Sequence, residues 1–555
     1  MRLKKFSVTN YKVFCEKFCI QFSEKDIVIL TGKNNTGKST FLEAINQFYL
    51  PTVAKTKIPI ECYSAQDENK IIELEAVFVI DGEELTIIKK YANDNGKYYD
   101  TEGKEIKRGH AIKTILDQIL ENSPYYITPY MTTDEVDKQV NDIYSQILTS
   151  ELTRLENDNS DESKSKQEYL EVKKAIPKLL SQLKSNTDQA LRAVSEKVSK
   201  NLQGLFSNKD LQLAVAGGES NGFSIADMVK STNSSVTIDN KLYRGMPLST
   251  QGTGIQRMSL IYIFQNMIEQ GLLGTNKDKM LLIDEPEAFL HPEAVRALSR
   301  SLYAIGNEMP LIISTHSPVL IDLSENHTSI QVFRIGTNKA IELFQSSNSV
   351  FDNNDITNMK ILNYVDSYVN EFFFAKNIVV VEGDTEYVAL NHYIKDRELP
   401  IHVIRARGKG TICSLMKILN QFKTPYIIMH DMDNNKKYEQ KTLKAQLTNC
   451  KNIFKLKTDA TQIYSSVANF EQAIGIGDVA DRKKTATIFR IMNEADGLPI
   501  KNRIYTFFDT IFNIEKSDKI GIDIIEITHE SIYEEFFLPL IDNDEVAAEI
   551  EDYLD

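Results

Sequence analysis

At 555 residues, with 42% hydrophobic and 26% charged side chains, the chain exceeds one hydrophobic core and has the balance of a globular protein, so roughly two or three domains are expected and disordered or fibrous classes are excluded. No run of about 18 apolar residues occurs, and the opening mixes Leu3, Phe6 and Val8 with polar neighbours, so no membrane association is expected and a cytoplasmic protein beginning on a β-strand is. A net charge of −14 argues against coating nucleic acid non-specifically, and five scattered cysteines without a CxxC pair read as free, buried thiols rather than disulfides or a zinc site.

Strand signals dominate the N-terminal half, at Ile27 to Leu30, at 71–80 and at 84–91. Directly after the first of these, 32–39 reads GKNNTGKS and satisfies G-x-x-x-x-G-K-[ST], with the helix-like FLEAINQFYL following. Such a loop wraps backbone N–H groups around phosphates at a helix N-terminus, lets a lysine neutralise the β and γ oxygens, and offers a hydroxyl to Mg2+. Gly32, Asn34, Asn35, Gly37, Lys38, Ser39 and Thr40 are therefore the candidate nucleotide residues, with ATP and Mg2+ as cofactors. A plain surface glycine turn would not need a strand before it and a helix after it.

A charge-dominated stretch at 133–205 shows helical spacing in patches and reads as an inserted helical arm. Next, 248–257 reads LSTQGTGIQR and opens an amphipathic helix about 27 residues before MLLIDEPE, an apolar strand ending in Asp284 and Glu285. At the strand edge Asp284 is placed to hold Mg2+ and Glu285 to polarise the attacking water, although two acids after a strand also suit a simple turn. The segment IISTHSP then puts His316 at the end of a buried strand, where a histidine can sense a γ-phosphate or merely satisfy the core.

The polar run QSSNSVFDNNDITN places a domain boundary between 345 and 372, and no internal repeat is evident. A second α/β pattern starts at Asn377. IVVVEG ends in Glu382 and YIIMHDMD ends in Asp431 and Asp433; parallel strands would bring these carboxylates to one sheet edge, where they suit hard divalent cations. Residues 399–457 reverse the global charge, with Arg405, Arg407, Lys409, Lys417, Lys423, Lys436, Lys437, Lys441, Lys444, Lys451, Lys455 and Lys457 against only Asp431, Asp433 and Glu439. Alone that window is a solvated helical face; beside the acids it reads as a groove for a DNA backbone.

Together GKNNTGKST, LSTQGTGIQR, LLIDEPEAFLHP and ISTHSP resemble the four ABC motifs of the SMC and RecF-like ATPases, and DEPEAFLHP followed by STHSP is similar to the OLD (overcoming lysogenisation defect) family. The strand-terminal EG with DxD 49 residues later resembles the Toprim fold. The resemblance implies an α/β protein. An ABC-type, SMC/RecF-like nucleotide-binding domain would span 1–345, its inserted arm at 133–205 serving dimerisation. A C-terminal Toprim Rossmann-like domain would span 372–555 and end in a helical extension. In such a site Gly252, Thr253 and Gly254 would cap the γ-phosphate held by a second copy, so a homodimer or higher oligomer is implied. The match further implies a metal or acid/base role for Glu382, metal ligation by Asp431 and Asp433, a tight turn at Gly408, further ligands in Glu386 and Glu471, and Lys483 or Lys484 steadying transition-state charge. Mg2+, or alternatively Mn2+, would serve a DNA endonuclease of the anti-phage type, working beside a helicase or a retron reverse transcriptase. The rivals are an SMC/RecF-like regulatory ATPase with a non-cleaving docking domain, and a topoisomerase, for which none of the 24 tyrosines has a recognisable context.

Overall fold

In the computed structural model the chain forms two units, Met1–Ile321 with Ser329–Ile341, and Asp322–Thr328 with Glu342–Asp555. The residues described are those outside 24–26, 51–56, 93–95, 131–165 (save 135, 138, 141, 144 and 145), 217–234, 240–242, 270–278, 324–327, 337, 349–350, 366–368, 478–479, 495–497, 513–522 and 542–555.

The first unit enters on β1 (Arg2–Thr9) and β2 (Phe18–Gln21), then crosses to β3 (Ile27–Thr31) and α1 (Lys38–Tyr49). β4 (Ile72–Ile80), β5 (Glu83–Tyr91) and β6 (Lys97–Tyr99) complete an antiparallel sheet in the order β2-β1-β4-β5-β6. After α2 (Lys113–Glu121) and β7 (Tyr125–Ile127) comes α3 (Lys166–Leu205), so the described part of the expected arm is one 40-residue helix, and its first portion, 133–165, falls almost wholly outside the described residues. The far end of α3 buries Leu191, Val194, Val198 and Leu202 at helical spacing. It lies against β8 (Gln212–Ala216) of a small antiparallel sheet completed by β9 (Ser235–Asp239) and β10 (Met246–Pro247), an element with no forewarning in the motifs.

α4 (Thr253–Glu269), β11 (Leu281–Asp284), α5 (Pro292–Gly306), β12 (Leu311–Ser314), β13 (Ile330–Ile335) and β14 (Ala340–Gln345) follow. Five of the strands run parallel in the order β13-β3-β12-β11-β7, with β14 added beside β13. Register sets Leu30 beside Ser314 and Ser314 beside Asp284, so the loops after β3, β12 and β11 leave the sheet at one level. α1 shares one core with both sheets: Phe41 and Phe48 pack edge-on against Phe6 of β1 at 5.7 and 6.2 Å, and Val28, Leu30, Leu282 and Ile312 join the same cluster. Each such buried aromatic contributes roughly 2–3 kcal/mol. The buried ammonium of Lys89, 1% exposed, donates to the carbonyls of Gln47, Phe48 and Leu50 and closes the C-terminus of α1. The helix that begins at the glycine-rich loop is thereby anchored at its far end.

In the second unit α6 (Asn353–Val365) begins inside the polar run expected to form the boundary. Its Asp355 is buried and accepts from Ser414 at 2.7 Å and from Lys417, which fastens α6 to α8 described next. The chain continues through β15 (Asn377–Val381), α7 (Asp384–Asp396), β16 (Ile401–Arg405), α8 (Lys409–Leu419), β17 (Tyr426–Asp431), α9 (Gln440–Lys455), β18 (Thr461–Ser466), α10 (Phe470–Ala473), α11 (Asp481–Asn493), α12 (Pro499–Phe512), β19 (Ile524–Glu526) and α13 (Ser531–Phe537). The sheet order is β16-β15-β17-β18-β19, parallel except for β19. β15 and β17 read as near-continuous apolar runs because both faces are covered, as parallel strands require.

All five cysteines are free, but the expectation of burial holds only for Cys62 and Cys450; Cys15 is exposed and Cys19 and Cys413 are half-buried. Cys15 can stay outside because it lies in the turn between β1 and β2 rather than on a core-facing strand position. Among the described residues no helix is long and apolar enough to cross a membrane.

Candidate functional sites

The first site assembles where β3, β12 and β11 end together. Gly32 and Gly37 hold φ of 143° and 104°, and a Cβ at either would collide, with the Ile335 carbonyl oxygen at 2.6 Å and with the Phe14 ring at 2.6 Å. Only glycine fits there. Between them Asn34 and Asn35 are exposed, Asn35 at φ 61°, while Thr40 lies half-buried in the first turn of α1. Lys38 is 4% exposed and its ammonium donates to the loop's own carbonyls, Gly32 at 3.3 Å and Lys33 at 3.1 Å. Burial pulls its pKa below the lysine norm, against the pull of Glu285, Asp284 and Glu287.

Opposite the lysine, Asp284 accepts from Ser39 at 2.9 Å and from Ser314. Burial raises its carboxyl and those two hydroxyls oppose the rise. Glu285 sits at φ 43°, a left-handed conformation that a glutamate adopts only when its surroundings enforce it. The enforcement is visible. Its N–H donates to the Ser314 carbonyl at 3.0 Å, and Arg257 of α4, buried, donates to the carbonyls of Glu285 at 2.9 Å, Asp284 at 3.0 Å and Ala288 at 2.9 Å. His316 Nε2 lies 3.6 Å from Glu285 Oε1, and burial together with Lys38 depresses its pKa.

Glu287 completes the arrangement. Its Oε1 accepts from the His316 N–H at 2.7 Å and the Thr315 hydroxyl at 2.8 Å, and its buried Oε2 has no hydrogen-bond partner among the described residues. Arg257 and Glu287 both lie inside motifs quoted above, the last residue of LSTQGTGIQR and the third acid of DEPE, but nothing in their spacing says that one clamps the acid strand and the other the histidine loop. The exposed Gly252 and Thr253 lead into α4, whose first N–H groups have no intrahelical acceptor, and a Cβ on Gly254 would stand 3.2 Å from the Phe289 carbonyl oxygen.

The second site forms at the parallel edge of the other sheet. Val381 pairs with Met429, so Glu382, just past β15, stands level with the end of β17, and its Oε2 accepts from the Asp431 N–H at 3.0 Å. Asp433 lies two residues beyond the strand at φ 58°. Asp431 Oδ1 is buried without a hydrogen-bond partner among the described residues, and burial, then Glu386, Glu382 and Asp433, push that carboxyl far above the aspartate norm. Glu386, buried on the first turn of α7, is pushed up to about 8 by burial and by Glu382, Glu471 and Asp433. Glu471 is buried on α10 and meets Lys484, rather than the neighbouring Lys483, at 3.5 Å.

The centre of the cluster is a lysine. Lys409, 5% exposed, donates to Asp433 Oδ2 at 2.5 Å, Gln446 Oε1 at 3.1 Å and Glu382 Oε1 at 3.5 Å. Burial works against its charge, but Glu382 and Asp433 outweigh it and hold the ammonium above the lysine norm. Its expected place among the DNA-facing bases is corrected accordingly: Gly408, at φ 130°, turns the chain so that Lys409 begins α8 pointing into the acids. Arg405, Lys417 and Lys451 are also committed, to Asp384 at 3.0 Å, to Asp355 and to Glu534 at 2.5 Å. Arg407, Lys423, Lys436 and Lys441 remain exposed.

Among the described residues no group of three or more acids, histidines or cysteines stands ready to hold a metal ion. The chemistry of the cluster still fits a hard divalent cation: the donors are carboxylate oxygens, and Asp431 presents a buried oxygen that no group among the described residues satisfies.

The family model of the AAA ATPase domain matches residues 1–321, and that of the overcoming lysogenization defect protein-like TOPRIM domain matches 373–433. The OLD nuclease of Thermus scotoductus is 26% identical over 283 residues, covering 47% of this chain and 52% of the relative. The Old nuclease of Escherichia phage P2 is 26% identical over 205 residues, covering 34% of this chain and 33% of that protein. The chain thus spans about half the length of the first relative and a third of the second. Among solved structures, an Smc head domain of Pyrococcus furiosus with an extended coiled coil, bound to the C-terminal domain of ScpA, aligns with TM-score 0.41 at 16% identity over 66% of this chain and 99% of its own. The SMC head domain of Thermotoga maritima aligns with TM-score 0.33 at 15% identity over 62% of this chain and 100% of its own.

Proposed function

The chain belongs to the AAA ATPase domain family, with an OLD-like TOPRIM domain behind it, and on that footing we propose that it binds and hydrolyses ATP and cleaves DNA phosphodiester bonds with a divalent metal. The ATPase domain is proposed to span 1–345 with its arm at 133–205, and the nuclease domain 372–555. In the first, the 32–39 loop and Lys38 bind the phosphates, and Ser39 and Asp284, already hydrogen-bonded to each other, flank the place of Mg2+. Glu285 orients the attacking water and His316 reads the γ-phosphate beside it. The N-terminus of α4, at Gly252, Thr253 and Gly254, acts on nucleotide held by a second copy, which makes the working form a homodimer or higher oligomer.

The observation that carries the nuclease half is the meeting of Glu382, Asp431 and Asp433 at adjoining parallel strand ends, with one Asp431 oxygen buried and unsatisfied. These residues, with Glu386 and Glu471 behind them, would hold Mg2+ or Mn2+. When bound, the metal activates water and neutralises charge on the scissile phosphate. Lys484 steadies charge at the Glu471 side. An anti-phage role, a helicase or retron reverse transcriptase partner and a cytoplasmic location belong to the same proposal and rest on family resemblance. The pairing of Lys409 with two of the acids favours one rival, a regulatory ATPase whose second domain only docks.

Supercoiled plasmid with Mg2+ or Mn2+, with and without ATP, separates the two. Nicked or linear product is expected from the native chain, with a loss of about a thousandfold in Asp433→Ala and little change in DNA affinity. Equal cleavage by Asp433→Ala, or none by the native chain under any of these conditions, decides for docking.

A further inference from the structure

Two acids that follow different strands and one amide from α9 converge on the ammonium of Lys409, which is nearly inaccessible to water. An ammonium there does what a cation bridging Glu382 and Asp433 would do, cancelling their mutual repulsion. It carries one charge where a divalent metal carries two, and the two cannot share the same carboxylate oxygens. A lysine is suited to this. Its charge is compact and sits on a flexible four-carbon stem, so it can leave without the strand ends moving.

We infer that Lys409 is a built-in counter-cation of the acid cluster, holding Glu382 and Asp433 together while metal is absent and giving way when a divalent ion binds between them. The inference rests on the nuclease reading, since it presumes that the cluster takes a metal. Lys409 is then a positioning residue acting through the carboxylates. Gln446 is its partner on the helix side, 3.1 Å away, and offers the ammonium a hydrogen bond that does not depend on the acids. The asymmetry of the contacts adds a detail: Asp433, at 2.5 Å, is neutralised more fully than Glu382, at 3.5 Å. Asp431 Oδ1, by contrast, is buried and has no hydrogen-bond partner among the described residues, so a bound ion would be its first partner.

The test is Mn2+ binding to the full-length protein without DNA or nucleotide, followed by calorimetry and by the electron paramagnetic resonance of free Mn2+. Lys409→Met, stripped of the competing charge, is expected to bind at least about tenfold more tightly than the native chain, and Lys409→Arg, which keeps the charge, no more tightly than native. Should the methionine variant fail to fold, the native chain decides alone: acylation of Lys409 by an amine reagent, read by mass spectrometry, rises on adding Mn2+ if the lysine is displaced. Binding by Lys409→Met equal to or weaker than native, or unchanged labelling of Lys409 at saturating Mn2+, overturns the inference. If the native chain binds Mn2+ and Asp431→Asn does not, that failure leaves the nuclease reading standing. If neither the native chain nor Lys409→Met binds Mn2+, both fall.

Discussion

Lys38 and Lys409 are built alike and used in opposite ways. Each follows a parallel strand, sits directly after a glycine in a positive-φ conformation, at 104° for Gly37 and 130° for Gly408, and opens a helix with almost no exposure. Around Lys38 the acids are held off by hydroxyls: Ser39 and Ser314 take Asp284, and the ammonium turns back to carbonyls of its own loop. Around Lys409 no serine intervenes, and Glu382 and Asp433 meet the ammonium themselves. On the proposed function the first lysine keeps its charge for an anionic ligand, while the second stands where a cationic ligand would go. What a glycine–lysine turn recognises is set by the groups on the neighbouring strand ends, not by the turn.

The sharpest way to break this contrast is at the first lysine and its acids. Lys38→Ala should weaken nucleotide binding by about a hundredfold or more, whereas Glu285→Gln should keep binding and lose hydrolysis by about a hundredfold or more, as fluorescent-nucleotide titration and phosphate release would read. Native hydrolysis by Glu285→Gln would remove Glu285 from the water-orienting role. A smaller effect is expected at Arg257. Arg257→Met takes away the three carbonyl contacts that keep Glu285 in its left-handed conformation, so turnover should fall about tenfold while nucleotide affinity stays within about threefold. A loss confined to affinity would mean that the clamp shapes the phosphate loop instead. The smallest effects belong to the exposed bases near the second site. Arg407→Ser and Lys436→Ser should each weaken DNA binding a few-fold and reduce its salt slope by roughly one, measured by anisotropy at several salt concentrations. An unchanged slope would place the DNA path elsewhere on this unit.

Motifs whose parts are neighbours in sequence could be read directly. The loop at 32–39 lies between its strand and its helix, and IVVVEG and YIIMHDMD are the strands β15 and β17 with their acids at the ends. The basic window is less legible. Its density of lysine and arginine suggested one continuous groove, yet Arg405, Lys409, Lys417 and Lys451 each answer an acid from outside the window or from its own acidic motif. Counting charges along the chain cannot separate a base that faces solvent from one that neutralises a buried carboxylate, because the difference lies in burial. The polar run around 345–358 carries the expected boundary, and composition along it does not reveal that Asp355 finds Ser414 and Lys417, at separations of 59 and 62 residues, and becomes part of a packed helix.

By itself the sequence determined which chemical groups stand at the ends of which strands, since a strand, its terminal residue and the glycine that follows are consecutive and obey local backbone rules. Only the tertiary structure decided which of those groups meet. Arg257 reaches carbonyls 27, 28 and 31 residues away, and Lys409 reaches acids 27 residues before it and 24 after it. Those encounters depend on strand order and register, which fix distances of a few ångströms between residues that no spacing in the chain relates, and on burial, which makes a charge seek a partner instead of water.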